Sequence, residues 1–396
     1  MPDETSSPIP EPEVGPENEP EAEAPDVGPP APGRRGGRLR RWLRGRPGAA
    51  LAGSLAGALL AGSLVAWKTD ALTLPWREDP VCWDALSRGT VADLVGDDFR
   101  ADELPLRTEG ISSGRVLATC RAMRPDGDGW TMTASVRDLD SLYGLDRREW
   151  PAEFLNGLMT PLGDGLTGMV SPGRAWVALP ASCRLTGNYD PPTVVDVSWG
   201  DLHISRADDA EEDRAVLARG VVELANGVMD RFGCEDRLPP PGKLPPLTWL
   251  ESAPEDDLCG LEGLRAPEAM RRQAEDDIGY DQLLSPASEG VGPVCELGLG
   301  RLERLRLITI EDPAMAMVYK RSVGRVGAEA LEGDGVGSFV GDLGVFQAEC
   351  PDGEVTFVAQ LDDYFDAALA RELFPAYVRA EGLRLGCGPL RVLPKG

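Results

Sequence analysis

One histidine, His203, stands in 396 residues, and that count alone removes several chemistries. A zinc site built on two imidazoles is out of reach, and a Ser-His-Asp relay would have to use this one side chain. His203 follows a strand-like stretch and lies between Leu202 and Ile204, a setting that suits a strand edge better than a catalytic base. The 66 acidic residues could supply the paired carboxylates of a glycoside hydrolase, but their abundance singles out no pair. Two glycine-rich runs invite comparison with phosphate cradles. Gly333-Asp334-Gly335-Val336-Gly337-Ser338 lacks the Gly-Lys-Ser/Thr ending of a P-loop, and Gly163-Asp164-Gly165-Leu166-Thr167-Gly168-Met169-Val170 shares its opening; both read as tight turns before strands. Asp126-Gly127-Asp128-Gly129 offers oxygens to calcium without the long loop and distal Glu of an EF-hand, and reads as a hairpin turn. No catalytic, cofactor-binding or metal-ligating residue emerges, so the chain is expected to be non-enzymatic and to need no cofactor.

The cysteines carry more information. Cys82, Cys120, Cys183 and Cys234 form one set, at intervals of 38, 63 and 51 residues; Cys259, Cys295, Cys350 and Cys387 form a second, at 36, 55 and 37. There is no CxxC pair, which favours disulfides over metal ligation or thiolate chemistry. Connectivity does not follow from sequence, but a repeated set is expected to close its own bridges: Cys82–Cys120, Cys183–Cys234, Cys259–Cys295 and Cys350–Cys387.

Local sequence repeats along with the cysteines. Leu72-Thr73-Leu74-Pro75-Trp76 and Leu247-Thr248-Trp249 precede the first Cys of each set; Leu86 and Asp97-Asp98 answer to Leu264 and Asp276-Asp277; Gly-Asp-Gly stands before each third Cys. Each set closes with a helical run containing Leu-Ala-Arg, at 217–219 and 369–371, and ending Gly-Cys. The spacing therefore predicts two tandem related domains, 71–235 and 255–396, joined by a stiff, exposed Pro-rich linker at 236–254, where Pro239, Pro240, Pro241, Pro245 and Pro246 lack backbone donors.

Within a copy, a short helix follows the first Cys, and strands are expected at Trp130–Val136, Arg174–Leu179, Thr193–Trp199 and, in copy two, Glu354–Leu361. The alternation in Trp130–Val136 has the period of a half-buried strand. Asp213–Phe232 places Val216, Leu217, Val221, Leu224, Val228 and Met229 largely on one helical face. Asp208, Asp209, Glu211, Glu212 and Asp213 open that helix, where its dipole favours negative charge, before they make a metal site. The predicted class is α+β, each domain an antiparallel sheet with a packed C-terminal helix.

Ahead of the cysteines lies a different kind of sequence. Residues 1–33 are dominated by Pro, Glu, Ala and Gly, too polar to offset the entropy of ordering, and are expected to form a disordered acidic cytoplasmic tail. Arg34, Arg35, Arg38, Arg40, Arg41, Arg44 and Arg46 crowd the juxtamembrane segment 34–47, and Gly48–Trp67 contains no charge over 20 residues. As a helix it would span about 30 Å, the depth of a bilayer's hydrocarbon core, with Trp42 and Trp67 as interfacial aromatics. The Arg excess places the N-terminus in the cytoplasm and the C-terminus outside, in a single-pass cell-membrane topology. Disulfides belong on that outer side. A cleavable signal peptide is the alternative, disfavoured by its long leader. Gly53 and Gly57 form a small-xxx-small pair of the kind through which two such helices form a homodimer; an Ala/Gly-rich span of no further meaning is the simpler account.

Nine acidic and seven basic side chains precede Gly48, a net of −2, leaving −24 of the total −26 on the remainder. So acidic an exterior repels phosphate backbones, which excludes nucleic acid as a partner and leaves cations and basic peptides or proteins compatible. Basic residues are Arg in 36 of 40 cases, the usage of a GC-rich genome. The stretch Gly165-Leu166-Thr167-Gly168-Met169-Val170-Ser171-Pro172, with Arg174-Ala175-Trp176-Val177 and Cys183, resembles membrane-anchored, cysteine-containing envelope proteins of Streptomyces and related actinobacteria. The resemblance covers about 20 residues; it implies an envelope location and brings no site residues to carry over. The expected function is binding of an envelope protein partner or small ligand. A transmembrane signalling component acting through the acidic tail, and an extracytoplasmic hydrolase with an acidic cleft in one copy only, are the alternatives.

Overall fold

The computed structural model describes residues 80–105, 116–125, 131–139, 154–183, 192–199, 210–276, 280–286, 291–299, 303–320, 322–323, 327–362 and 366–395. The tail, the Arg-rich segment with Arg34, Arg35, Arg38, Arg40, Arg41, Arg44, Arg46 and Trp42, the apolar stretch to Trp67, His203 and Asp126–Gly129 lie outside them. Among the described residues no helix is long and apolar enough to cross a membrane. All described elements belong to one unit, Trp76–Gly396.

The class is α+β, with two antiparallel sheets. The first half runs α1 (Arg88–Val95), β1 (Arg100–Glu103), β2 (Val116–Met123), β3 (Thr131–Asp138), β4 (Thr160–Pro161), β5 (Gly168–Val170), β6 (Arg174–Ala178), β7 (Thr193–Trp199) and α2 (Ala210–Arg231). The second runs β8 (Glu251–Ser252), α3 (Glu268–Asp276), β9 (Tyr280–Leu284), β10 (Val291–Leu299), β11 (Glu303–Ile310), α4 (Pro313–Tyr319), β12 (Glu329–Gly333), β13 (Gly335–Val340), β14 (Leu343–Cys350), β15 (Gly353–Leu361), α5 (Ala367–Arg384) and β16 (Val392–Pro394).

The strand orders are β1-β2-β3-β7-β6-β5-β4 and β8-β9-β10-β11-β15-β14-β13-β12-β16. Without β8 and β16 at the edges, the second order matches the first strand for strand. The ladders carry the match to single residues. Cys120 faces Ala134, which faces Val197, which faces Ala175; Cys295 faces Leu307, which faces Ala359, which faces Gly344. Positions in the two halves are equated below by counting from these pairs and from the cysteines.

Two helices and two sheets stack in layers. Leu217, Val221, Leu224 and Val228 of α2 pack on Ala134, Ala175, Val177 and Val197. Leu369, Leu373, Phe374 and Tyr377 of α5 do the same with Leu305, Leu307, Phe357 and Ala359. A third apolar cluster draws on the opposite faces of both sheets, joining Met169, Trp176 and Val194 to Ile308, Ile310, Val345 and Val358, with Met315 and Tyr319 of α4. Thr167 Oγ1 donates to Asp312 Oδ2 across the halves at 2.8 Å.

β3 keeps the half-buried alternation expected of Trp130–Val136, with Thr131 and Thr133 partly exposed between buried neighbours; the central strand β7 does not. Every residue of β7 is buried, because α2 covers one face and the second half covers the other. The Pro-rich linker at 236–254 contains no fully buried residue. It is extended, as its prolines require, but not free: Leu238 and Leu244 pack on the first core, Gly242 donates its N–H to the Leu162 carbonyl at 2.8 Å, and Asn226 exchanges two hydrogen bonds with Leu238. The predicted helix from Asp213 is α2, which begins at Ala210 with Glu211, Glu212 and Asp213 in its first turn.

Candidate functional site

The eight cysteines form four pairs, Cys82–Cys120, Cys183–Cys234, Cys259–Cys295 and Cys350–Cys387, with Cα separations of 5.4, 5.5, 5.5 and 4.8 Å. Each half thus ties its opening turn to its second strand, and its sixth-strand side to the end of its last helix. The Gly-Asp-Gly runs are turns, as expected: Gly163, Asp164 and Gly165 all have positive φ ahead of β5, and Gly333-Asp334-Gly335 joins β12 to β13 with Gly333 at φ +145°. Asp334 is held by Arg391, at 2.9 Å to its Oδ1, so this acid belongs to the fold. Among the described residues no group of three His, Cys, Asp or Glu could hold a metal ion.

The opening turns are where the halves diverge. Cys82 and Cys259 have φ of +53° and +61°, and the residues after them, Trp83 and Gly260, have +64° and +65°. The two backbones share this left-handed start and then part: Asp84 keeps φ at +58°, whereas Leu261 has −100°. In the first half the Trp83 indole is 5 % exposed and belongs to the α2 core; its Nε1 donates to the Leu104 carbonyl at 2.8 Å. Leu104 follows Glu103, which faces Cys120; its counterpart Ser285 follows Leu284, which faces Cys295. With Gly260 in place of tryptophan, the corresponding space beside Ser285 is a cleft of about 200 Å³.

The last turns of α5 supply the chemistry of that cleft. Tyr377, Glu381 and Arg384 line it, opposite Cys259–Leu261 and the Cys259–Cys295 bridge, with Leu284, Ser285, Pro293 and Val294 closing the side. The Tyr377 hydroxyl is 2.7 Å from Thr309 Oγ1, both buried. The Glu381 side chain is 2 % exposed and its Oε2 accepts from Arg384 Nε at 2.9 Å and Nη2 at 2.7 Å. Arg384, 35 % exposed, also meets Glu311 at 3.4 Å. Burial works against the charge on Arg384, but the hydrogen bond and charge of Glu381, with Glu311 behind them, outweigh it and hold the guanidinium above its ordinary pKa. Burial, reinforced by Glu381, pushes the Tyr377 phenol well above its usual value, so it stays neutral.

Counting back from Cys234 and Cys387, the first-half counterparts of Tyr377, Glu381 and Arg384 are Leu224, Val228 and Arg231, and that of Thr309 is Val136. Of this set only the arginine recurs in the first half, as Arg231; the hydroxyls and the carboxylate do not. Sequence reading missed the set because it matched what the copies share, whereas the site lies where they differ; the Trp/Gly contrast directly after aligned cysteines was the available signal. A wider groove of about 500 Å³ beside α5 and β16 is lined by residues such as Pro375, Arg379 and Leu393, none of them a buried polar group.

The fold and cleft define a layered α+β protein with two disulfide-closed halves. No family model, curated protein or solved structure matches the chain.

Proposed function

We propose that this chain is a non-enzymatic, single-pass envelope protein whose two disulfide-stapled, duplicated extracytoplasmic domains follow a transmembrane helix at 48–67, and that it binds a partner or ligand through the second-half cleft. The common strand order and bridge pattern support duplication. The compartment is supported by four disulfides and by the Arg-flanked apolar segment.

The carrying observation is the exchange of Trp83 for Gly260 at the same left-handed position after the first cysteine, with the second half open there beside buried charged and hydroxyl groups. Small-ligand sites combine such concavity with a few fixed polar groups. Hydrolysis finds less support: among the described lining residues the one carboxylate, Glu381, is already bonded to Arg384, and paired acids or a nucleophile with its base are not assembled there.

The test is in-cell cross-linking and affinity capture of the full-length protein, alongside Gly260→Trp. That substitution reproduces a residue the other half already accommodates at the same φ. Capture that depends on Gly260 supports the reading; identical capture by both proteins places binding elsewhere. Recovery of a cytoplasmic protein through residues 1–33 would favour the signalling alternative.

A further inference from the structure

The cleft's backbone donors are all engaged within the fold. Every backbone N–H of its first wall is committed: Cys259 to Gln282 Oε1 at 3.0 Å, Gly260 to the Asp257 carbonyl at 3.1 Å and Leu261 to the Leu258 carbonyl at 3.0 Å. On the second wall Ser285 donates its N–H to the Val294 carbonyl at 2.9 Å, Val294 returns its own to Ser285 Oγ at 3.1 Å, and Pro293 has none to give. An anion entering here would meet no unengaged backbone donor, only the hydroxyl proton of Ser285, whose oxygen already accepts from Val294. It would also meet Arg384, but that one positive charge is already shared between Glu381 and Glu311, a local excess of one negative charge. The deeper of the two acids, Glu381, is buried and lines the cleft, whereas Arg384 sits toward solvent. The surrounding chain is strongly acidic as well.

From this geometry we infer that the cleft receives a small organic cation, an alkylammonium or guanidinium group, which pairs with Glu381 and shares its carboxylate with Arg384. A space of about 200 Å³ suits the end of one such group rather than a drug-sized molecule. The apolar portion would lie against Leu261, Leu284 and the Cys259–Cys295 bridge. The same chemistry is offered by a free amine and by a Lys or Arg side chain on a partner peptide. The inference rests on the cleft being the binding site.

Ligand-observed saturation-transfer NMR on the full-length protein in detergent micelles tests it, with n-butylammonium, n-butyrate and the peptide acetyl-Gly-Lys-Gly-amide as probes. Butylammonium should bind and butyrate should not. Glu381→Gln should weaken butylammonium at least tenfold. Glu311→Gln, at a 38 % exposed position that cannot upset the core, should weaken it several-fold, and Gly260→Trp should abolish it. Peptide binding more than tenfold tighter than butylammonium identifies a protein side chain as the source; equal binding identifies a free amine. Butyrate binding as well as butylammonium, or indifference to both Glu variants in a protein that Gly260→Trp still blocks, overturns the cation inference and leaves the cleft as the site. Butylammonium binding that survives Gly260→Trp removes the cleft itself.

Discussion

Arg214 Nη2 donates to the carbonyl oxygen of Pro245 at 2.7 Å, so a fully buried guanidinium on α2 holds the segment that leads into the second half. The same nitrogen meets Thr160 Oγ1, and Nη1 meets Glu211 at 3.0 Å. Burial depresses the pKa of Arg214 against the opposing pull of Glu211, yet the linker carbonyl and the threonine hydroxyl depend on its protons. Arg214→Met should destabilise the protein by about 1–3 kcal/mol, the usual cost of orphaning buried acceptors. Limited proteolysis is the sensitive readout: cleavage between Leu238 and Thr248 should rise several-fold. Unchanged protection would show that the prolines alone hold the segment.

Trp83 gives a second prediction. Trp83→Ala removes an indole from the first core and the donor to the Leu104 carbonyl, at a cost of about 3–5 kcal/mol. The opened space should not acquire affinity for butylammonium, since Leu224 and Val228 stand where the second half has Tyr377 and Glu381. Gain of cation binding in this variant would show that the acidic exterior, not the polar set on α5, governs selectivity.

The apolar cluster shared by both sheets predicts one unfolding transition. Val358→Ala, in that cluster, should lower the midpoint of the whole described unit, with calorimetric and van't Hoff enthalpies remaining equal. Two separable transitions would mean that the halves fold independently and only touch.

Alkaline pH offers a third handle on the core. Burial raises the phenol pKa of both Tyr319 and Tyr377. An unfolded tyrosine ionises near pH 10. Their contribution to stability is therefore complete below about pH 10 and falls as pH rises above it, because only the unfolded chain releases those protons. Phenolate absorbance should show Tyr319 and Tyr377 ionising together with loss of structure. Tyr319→Phe and Tyr377→Phe should each remove one from that late step; ionisation of either at its ordinary pH in folded protein would contradict the burial.

Much of the architecture was legible. The strand from Thr193 to Trp199 and the helix through Leu217, Val221 and Leu224 announce themselves by alternating and 3.6-period apolar patterns, and the duplicated spacing assigns the cysteine bridges to their own halves without choosing among the three pairings each half allows. What the sequence concealed depends on contacts between distant segments. The burial of every residue of β7 depends on the stacking of the second half, whereas β3 keeps the alternation read from Trp130–Val136. Prolines 239–246 fix an extended path without saying what it lies against. The cleft was hidden because a lone glycine after a cysteine has no signature until its neighbour across the repeat is seen to be tryptophan.

Asp196 is 1 % exposed, held by Arg137 and Arg174, each at 3.1 Å, with both guanidiniums over the Phe154 ring at 5.2 and 4.5 Å. It shares a sheet face with Val194 and Trp176, which belong to the cluster between the halves. Counting along the ladders, the second half has Val358, Ile310 and Leu343 in place of Asp196, Arg137 and Arg174. Two identical subunits meeting by self-association must present the same residue from both sides, so a charged triad would be obliged to face its own copy. Joining the halves in one polypeptide lifts that obligation. One side can keep an ionic lock while the other stays oily, and mismatched pairing with a second molecule's first half would bring like against like. The covalent fusion thereby acts as a specificity device, directing each half to the neighbour already attached to it.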